Sequence, residues 1–494
     1  MGKSNEEDKL SALPDSILTE ILSRLPINSA AATTVLCHRW RHLWTGVTRL
    51  NLSTDGSNFA QDVDNILGQL TSPKISNFEL ILSSPMELPE QGDELEPLFL
   101  DIFRRNVEHV YIDVQCCFYE EFFWVPACLF TSQSLRVLEL HGMLKFDLPE
   151  IKDVDVFQLP NLKRLKLDYV ADVPLCLGIL FKSCPLLEDL DLGFKLDYVE
   201  SLIDGPVHIS CPNLKSLRVD LESSRKTEAV RIHIDAPKLT NLDIKDCFSF
   251  YYFVQNPITL ARACVDLRRD DWESAEDEDE ELAGGEIIYL QHMSTFIRGM
   301  SSVSNLDLKI ESSTNILAYL NSMDDGFLQM FSSLTHFETT LNFIGLNGWK
   351  DFLLSLQCFP NLKHLKVKME DDPPLEHNKW CVPNCVPDCL VSTLNIVHIS
   401  GLHGSEDDLK LLEYVLSNAN NLEELYLQML RVSIIEEQKA DAMWQEFQFC
   451  KSLFKLPRGS STCKILFSGN YVTTSSNDFK RGRLTCQVQV YLGD

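Results

Sequence analysis

The 494-residue sequence has no run of about eighteen uncharged apolar residues, the length a membrane-crossing helix needs. Its first eight residues, Met1 to Asp8, carry charge and no apolar core, so no secretory signal peptide is expected. Glu6 stands where a myristoylation signal carries Ser or Thr. A soluble intracellular protein, cytoplasmic or nuclear or both, is the expectation. In that setting the 16 cysteines read as reduced thiols, many of them small core residues, and the Asn51-Leu52-Ser53 sequon has no role. Positive charge is also scarce, since 44 Lys and Arg face 72 Asp and Glu for a net charge of -28. Phosphate binding depends on a local excess of Lys and Arg, so a general nucleic-acid binder is excluded.

Catalytic signposts are missing as well. There is no Gly-rich phosphate loop, no nucleophile elbow and no His-Glu-x-x-His. His377, Cys381, Cys385 and Cys389 recur every fourth residue, but zinc sites favour Cys-x2-Cys pairs, and Pro383 and Pro387 break any helix that would align the series. His38 and His42 share a helix face with Arg39 and Arg41 beside them, which disfavours a bound cation. No basic neighbour marks a cysteine as activated. A non-catalytic chain with no cofactor and no metal is therefore expected.

What the sequence does contain is a repeat. L-x-x-L-x-L copies at Leu135-Leu138-Leu140, Leu162-Leu165-Leu167, Leu187-Leu190-Leu192, Leu214-Leu217-Val219 and Leu239-Leu242-Ile244 step by 27, 25, 27 and 25 residues. That is leucine-rich-repeat spacing. Weaker copies begin at Val47, Ile75 and Val107 on one side and at Val303, Leu334, Leu362, Leu394 and Leu422 on the other, with Leu260-Ala263-Val265 a doubtful member. Pro-Asn-Leu or Cys-Pro often introduces a copy, and a proline there ends one element and turns the chain into the next. A single unit buries little, so the copies must stack as a solenoid. Strand alternation turns the leucines inward and leaves Arg164, Lys166, Asp189, Asp191, Ser216, Arg218, Asn241, Asp243, Asn305, Asp307, His336, Glu338, His364, Lys366, Glu424 and Tyr426 on the other face. That polar face, mixed in sign, is the natural place for a protein partner.

The first fifty residues follow a different pattern. Ile17, Leu18, Ile21, Leu22 and Leu25 fall on one face of a helix opened by Leu13-Pro14 and stopped by Pro26. A second helix is expected with Ser29 as N-cap and Ala32, Val35, Leu36, Trp40, Leu43 and Trp44 along one side. Two short helices cannot cover so much apolar surface, so a second surface is required. The order Leu-Pro, Ile-Leu, Ile-Leu-Ser-Arg-Leu-Pro, Val-Leu, Arg-Trp-Arg-x-Leu-Trp resembles the F-box of plant F-box/leucine-rich-repeat proteins. Trp380-Cys381-Val382-Pro383, Val386-Pro387-Asp388-Cys389-Leu390, Leu394-x2-Val397-x-Ile399, Leu416-Ser417-Asn418-Ala419 and Leu456-Pro457-Arg458-Gly459-Ser460-Ser461 resemble the FBD module that follows such repeats.

The resemblance implies an α/β chain: a flexible N-terminus over 1–8, a small helical F-box over 9–50, a leucine-rich-repeat solenoid over 51–375, an FBD module over 376–470 and a tail over 471–494. Nine of the twelve residues from Asp270 to Glu281 are acidic, which reads as an exposed insertion at about 268–285 with Ser274 a candidate phosphorylation site. The resemblance further implies a substrate receptor of an SCF-type ubiquitin ligase. Leu13, Pro14, Ile17, Leu18, Ile21, Leu22, Leu36, Trp40 and Leu43 would bind a Skp-type adaptor, and through it a cullin and a RING protein. Arg164, Lys166, Asp189, Asp191, Arg218, Asp243, Glu338, His364, Lys366 and Tyr426 would face a target protein. A scaffold or decoy that no longer recruits the ligase, and a ligand-gated receptor, are the alternatives.

Overall fold

The computed structural model describes residue 10 and residues 12–54, 59–83, 96–115, 123–142, 144–146, 157–170, 177–195, 206–222, 231–246, 249–267, 282–310, 331–341, 349–369, 382–383, 385–431, 439–474 and 487–488. The acidic stretch 270–281 lies outside them. The chain divides into two units, Met1–Leu239 and Thr240–Asp494.

The first unit opens with α1 (Asp15–Leu22) and α2 (Ile27–Ala32), followed by 3-10 turns at Thr33–Val35 and His38–Gly46. Pro14 and Pro26 are the N-caps, each in an extended or polyproline conformation rather than in the first helical turn. Ser29 is thus inside α2 and not its cap, because Pro26 already breaks the chain and starts the helix with the Pro26 carbonyl as first acceptor. The expected second helix also stops short. Thr33 bonds its own hydroxyl to the Ala30 carbonyl, the backbone tightens to 3-10, and Cys37 is fully extended before the next turn begins.

Strands β1 (Arg49–Thr54), β2 (Asn77–Leu82), β3 (His109–Val114), β4 (Phe123–Val125), β5 (Val137–Gly142), β6 (Leu144–Phe146), β7 (Arg164–Val170), β8 (Asp189–Lys195), β9 (Val207–Ser210), β10 (Ser216–Glu222) and β11 (Arg231–Asp235) follow. β1, β2, β3, β5, β7, β8 and β10 pair in parallel, each on its predecessor. The register stacks Leu50, Phe78, Val110, Leu138, Leu165, Leu190 and Leu217 in one inward column, with every member buried. A slip of one residue would turn that whole column to water, which is why the pairing is specific. β4 with β6 and β9 with β11 form small parallel pairs.

The second unit carries β12 (Asn241–Asp246), β13 (Phe250–Phe253), β14 (Arg262–Leu267), β15 (Asn305–Ile310), β16 (His336–Leu341), β17 (His364–Met369), β18 (Ile396–Leu402), β19 (Glu424–Met429), β20 (Lys464–Ser468), β21 (Val472–Thr473) and β22 (Gln487–Val488). β12 and β14 to β20 form one parallel ladder; β21 and β22 close it antiparallel. The doubtful Leu260 copy is therefore a full repeat, with Ala263 and Val265 buried in line with Leu306 and Leu308. Ala263 replaces the second leucine, and it is this small side chain that obscures the copy in the sequence. The stretch expected as a separate FBD module continues the same sheet through β18 and β19, and β20 adds a strand the repeat pattern did not show. No helix among the described residues is long and apolar enough to cross a membrane.

Asparagine explains the Pro-Asn-Leu signature better than proline does. The Nδ2 groups of Asn161, Asn213 and Asn361 donate to the carbonyls of Gln133, Pro185 and Ser332 in the preceding repeat, each at 2.8 Å. Asn421 does the same to Ser392. Each bond satisfies a turn carbonyl that the parallel ladder leaves open. At the C-terminal end, the buried Glu446 carboxylate accepts the backbone N–H groups of Asn470, Tyr471 and Val472 at 3.0, 2.9 and 2.7 Å, holding the turn into β21.

Candidate functional site

Two surfaces stand out. In the N-terminal helices, α1 has one inward row, Leu18 and Leu22, and one outward row. The outward row is Ile17, 47% exposed, with Ile21 one turn on, and Leu25 continues it on the turn that follows α1. Val35 and Leu36, on the tightened turn after α2, are 85% and 61% exposed. Behind them Ile27, Ala30, Trp40, Leu43 and Trp44 are buried. Arg39 ties the two halves together, with Nε 2.7 Å from Asp15 Oδ1 and Nη2 donating to the Leu13 carbonyl at 2.6 Å. Ser23 Oγ accepts from Thr48 N–H and donates to the Thr19 carbonyl, joining the end of α1 to the start of β1.

This divides the nine residues expected to touch an adaptor. Pro14, Ile17, Ile21 and Leu36 are outward and Leu13 is half-buried, whereas Leu18, Leu22, Trp40 and Leu43 are core. Those four are packed behind the outward face. The 3-10 tightening separates the Leu36 side from the Trp40 side, which a continuous helix would have merged.

The outward face of the sheet is the second surface. In the first unit Arg164 pairs with Glu139 at 3.1 Å, and Lys166 lies between Asp168 and Asp191 at 3.7 and 3.8 Å. Arg218 reaches Asp191 and Asp220 at 3.9 and 3.5 Å. Lys166, Asp191 and Arg218 thus form one cross-strand network, and the Arg164–Glu139 pair lies beside it with Asp189 next to Arg164 in register. Burial pushes the Asp191 carboxyl above the ordinary range against the pull of Arg218 and Lys166. His141, which the sequence reading passed over, joins the network by an Nδ1 contact of 3.2 Å to Asp168, and Tyr111 packs on its ring. One further step of the same alternation along β5 finds it.

In the second unit Glu338 and Lys366 pair at 2.6 Å, and the His336 and His364 rings stack at 4.2 Å with 4° between planes. Tyr426 donates to Glu424 and stacks on His398 at 4.1 Å. His398 was also missed, although Leu394-x2-Val397-x-Ile399 places it outward by the rule that found Lys366. Asp243 stands apart from these residues, beside Cys264 on the next strand.

Among the described residues no three His, Cys, Asp or Glu side chains converge as a metal site. Cys389, from the rejected zinc series, is buried with its thiol pushed up to about 12, while Cys385 is exposed; His377 and Cys381 lie outside the described residues. Burial pushes the thiols of Cys128, Cys184, Cys211 and Cys358 up to about 12 as well, far from a thiolate nucleophile at neutral pH.

Three family models match the chain: the F-box domain over residues 10–51, the LRR repeats of FBD-associated F-box protein At5g56370 over 98–269, and FBD over 382–427. The chain carries F-box, leucine-rich-repeat and FBD segments and is similar along most of its length to plant F-box/FBD/leucine-rich-repeat proteins. It is 29% identical over 484 residues to the FBD-associated F-box protein At5g22730 of Arabidopsis thaliana, covering 93% of this chain and 94% of that one. It is 26% identical over 471 residues to the F-box/FBD/LRR-repeat protein At5g22660 and 28% over 475 to At5g56420, both of Arabidopsis thaliana, covering 93% of this chain and 96% and 99% of theirs. The F-box is thus the segment whose outward row is Ile17, Ile21 and Leu25, and F-box domains in general bind Skp-type adaptors. The FBD stretch holds His398 and Tyr426, on the same sheet face as Lys366 of the preceding repeat.

Proposed function

We propose that this protein is the substrate-recognition subunit of an SCF-type ubiquitin ligase, binding a Skp-type adaptor through its F-box and a target protein through the outward face of its repeats. The observation that carries the reading is the row Ile17, Ile21 and Leu25 with Val35 and Leu36, five large aliphatic side chains left exposed in front of the buried Leu18, Leu22, Ile27, Trp40, Leu43 and Trp44. Exposed aliphatic rows of this kind are stable only against a partner, and helix-in-groove docking is the mode that covers them.

Such a receptor needs no general base and no nucleophile. It holds the target near the thioester carried by the ubiquitin-conjugating enzyme on the cullin assembly, raising the effective concentration of an acceptor lysine. The buried, protonated thiols agree with that division of labour. The outward Arg164, Lys166 and Arg218 are each matched to a carboxylate rather than converging on an empty pocket, which disfavours a polyanion-gated receptor.

The test is co-expression with a Skp-type adaptor and size-exclusion chromatography of the wild type and of Ile17→Asp with Leu36→Asp. A complex formed by the wild type alone, with both chains equally folded, supports recruitment. A folded wild type that ignores the adaptor would leave a repeat scaffold as the function. A double variant that still binds would remove these residues from the interface.

A further inference from the structure

The strands differ in what they show to solvent. On β17 every second residue, His364, Lys366 and Lys368, faces outward while Leu365, Val367 and Met369 are buried. The other long strands of the second unit up to β16 each place a carboxylate outward: Asp243 on β12, Asp266 on β14, Asp307 on β15 and Glu338 on β16. β17 has none, and neither has its neighbour β18, whose outward residues are Ile396, His398 and Ser400. From β16 to β20 the charged groups facing out are Lys366, Lys368 and Lys464 against two carboxylates, Glu338 and Glu424, with His336, His364 and His398 among them. Lys368 is exposed and has no ion-pair partner among the described residues. In a chain of net charge -28 this is a local reversal of sign.

Flat rings flank that ridge on both sides. His336 and His364 stack across β16 and β17, and His398 and Tyr426 stack across β18 and β19. Ring faces of this kind add contact area at low cost in side-chain entropy, as aromatic residues do at protein interfaces.

We propose that the outward face of β16–β19 is where the receptor takes its target, and that it binds an acidic peptide segment whose carboxylates pair with Lys366 and Lys368 while its backbone lies over His398 and Tyr426. This rests on the receptor reading and names the chemistry of its target. It also gives the FBD stretch a role, since the FBD supplies two of the rings. An incoming carboxylate competes with Glu338 for Lys366 and, among the described residues, meets no carboxylate already paired with Lys368. The sequence-wide acidity disfavours the same ligand elsewhere on the chain, which makes the ridge selective.

The histidines make the binding depend on pH. Burial holds His336 below the ordinary histidine range, helped by His364 and Lys363. Burial also lowers His398, with Lys366 adding to the effect and Glu424 and Glu338 opposing it. Both rings are therefore neutral at pH 7.5. A bound carboxylate favours their charged forms, so binding takes up protons and the affinity rises as pH falls, until the peptide's own carboxylates protonate.

The experiment uses the full chain and fluorescence anisotropy with three labelled probes: a dodecapeptide of alternating Glu and Tyr, its Lys-Tyr counterpart, and a single-stranded RNA of equal length. The Glu-Tyr peptide should bind about tenfold or more tighter than the Lys-Tyr peptide, and tighter at pH 6.0 than at 7.5. Lys366→Glu with Lys368→Glu should weaken it about tenfold, and Lys366→Gln with Lys368→Gln, which adds no charge beside Glu338, several-fold. Lys182→Glu with Lys451→Glu, exposed residues on helices rather than on the outward sheet face, should change it by less than about twofold. Equal losses in the helix-lysine and β17 variants, tighter binding of RNA, or no binding of the acidic peptide would each overturn the proposal. All variants keep the F-box intact, so adaptor binding measured in parallel separates failure of this inference from failure of the receptor reading.

Discussion

Trp40→Ala and Leu36→Ala separate the two faces of the F-box. Trp40 is 4% exposed and packed behind α1 and α2, whereas most of the Leu36 side chain is already in water. Truncating Trp40 returns roughly 200 Å² of apolar burial, which at about 25 cal/mol per Å² is about 5 kcal/mol. Measured Trp→Ala substitutions in cores fall at about 3–5 kcal/mol, so the estimate stands after allowance for relaxation. Whole domains have only about 5–15 kcal/mol, so such a loss would open the F-box much of the time even while the repeats stay folded. Leu36→Ala removes little buried area and should cost under about 1 kcal/mol. Hydrogen–deuterium exchange on the free chain reads this directly: Trp40→Ala should release the amides of α1 and leave those of β5 to β8 protected. Leu36→Ala should change neither, yet it should lower adaptor affinity. If Leu36→Ala opened α1 as far as Trp40→Ala does, or if Trp40→Ala left exchange unaltered, the division into core and contact residues would be wrong.

Three further outcomes are expected. Gly142 has a φ of 100°, and a Cβ there would sit 2.0 Å from the Val114 carbonyl oxygen, so Gly142→Ala should destabilise the first unit by about 1–3 kcal/mol in a denaturant titration; an unchanged midpoint would contradict the tight approach of β5 to β3. Glu446→Ala leaves three buried-turn N–H groups without their acceptor, at about 1–3 kcal/mol for each one that stays buried, and should speed amide exchange at Asn470, Tyr471 and Val472; unchanged protection there would show that the carboxylate does not hold the turn. Because burial lowers the His336 pKa in the folded state, its contribution to stability is present above the unfolded value of about 6.5 and lost as pH falls through the folded value, so His336→Gln should lessen the decline in melting temperature between pH 7.5 and 5; identical slopes for variant and wild type would refute that linkage.

The repeat leucines carry their own assignment because strand alternation and a period near 26 residues leave one way to bury them all. Leu165, Leu190 and Leu217 could be placed from spacing alone, and Lys166, Asp191 and Arg218 followed as their outward neighbours. The F-box was equally legible as a family pattern, since Leu13-Pro14 and Arg39-Trp40-Arg41 carry the resemblance. What no local rule supplied was where a helix would tighten. Helical periodicity put Leu36 and Trp40 on one side, and the 3-10 turn after Ala32 sent one to solvent and the other to the core. Ala263 hid a repeat because a small side chain suits the strand as well as leucine does, provided that its neighbours on β12 and β15 are already in register. Pairings between residues far apart in the chain, such as Lys166 with Asp191 and His398 with Tyr426, and the continuity of the FBD strands with the repeats, exist only once the strands are stacked in parallel. Sequence periodicity says which way a side chain points, and the tertiary register decides what stands beside it.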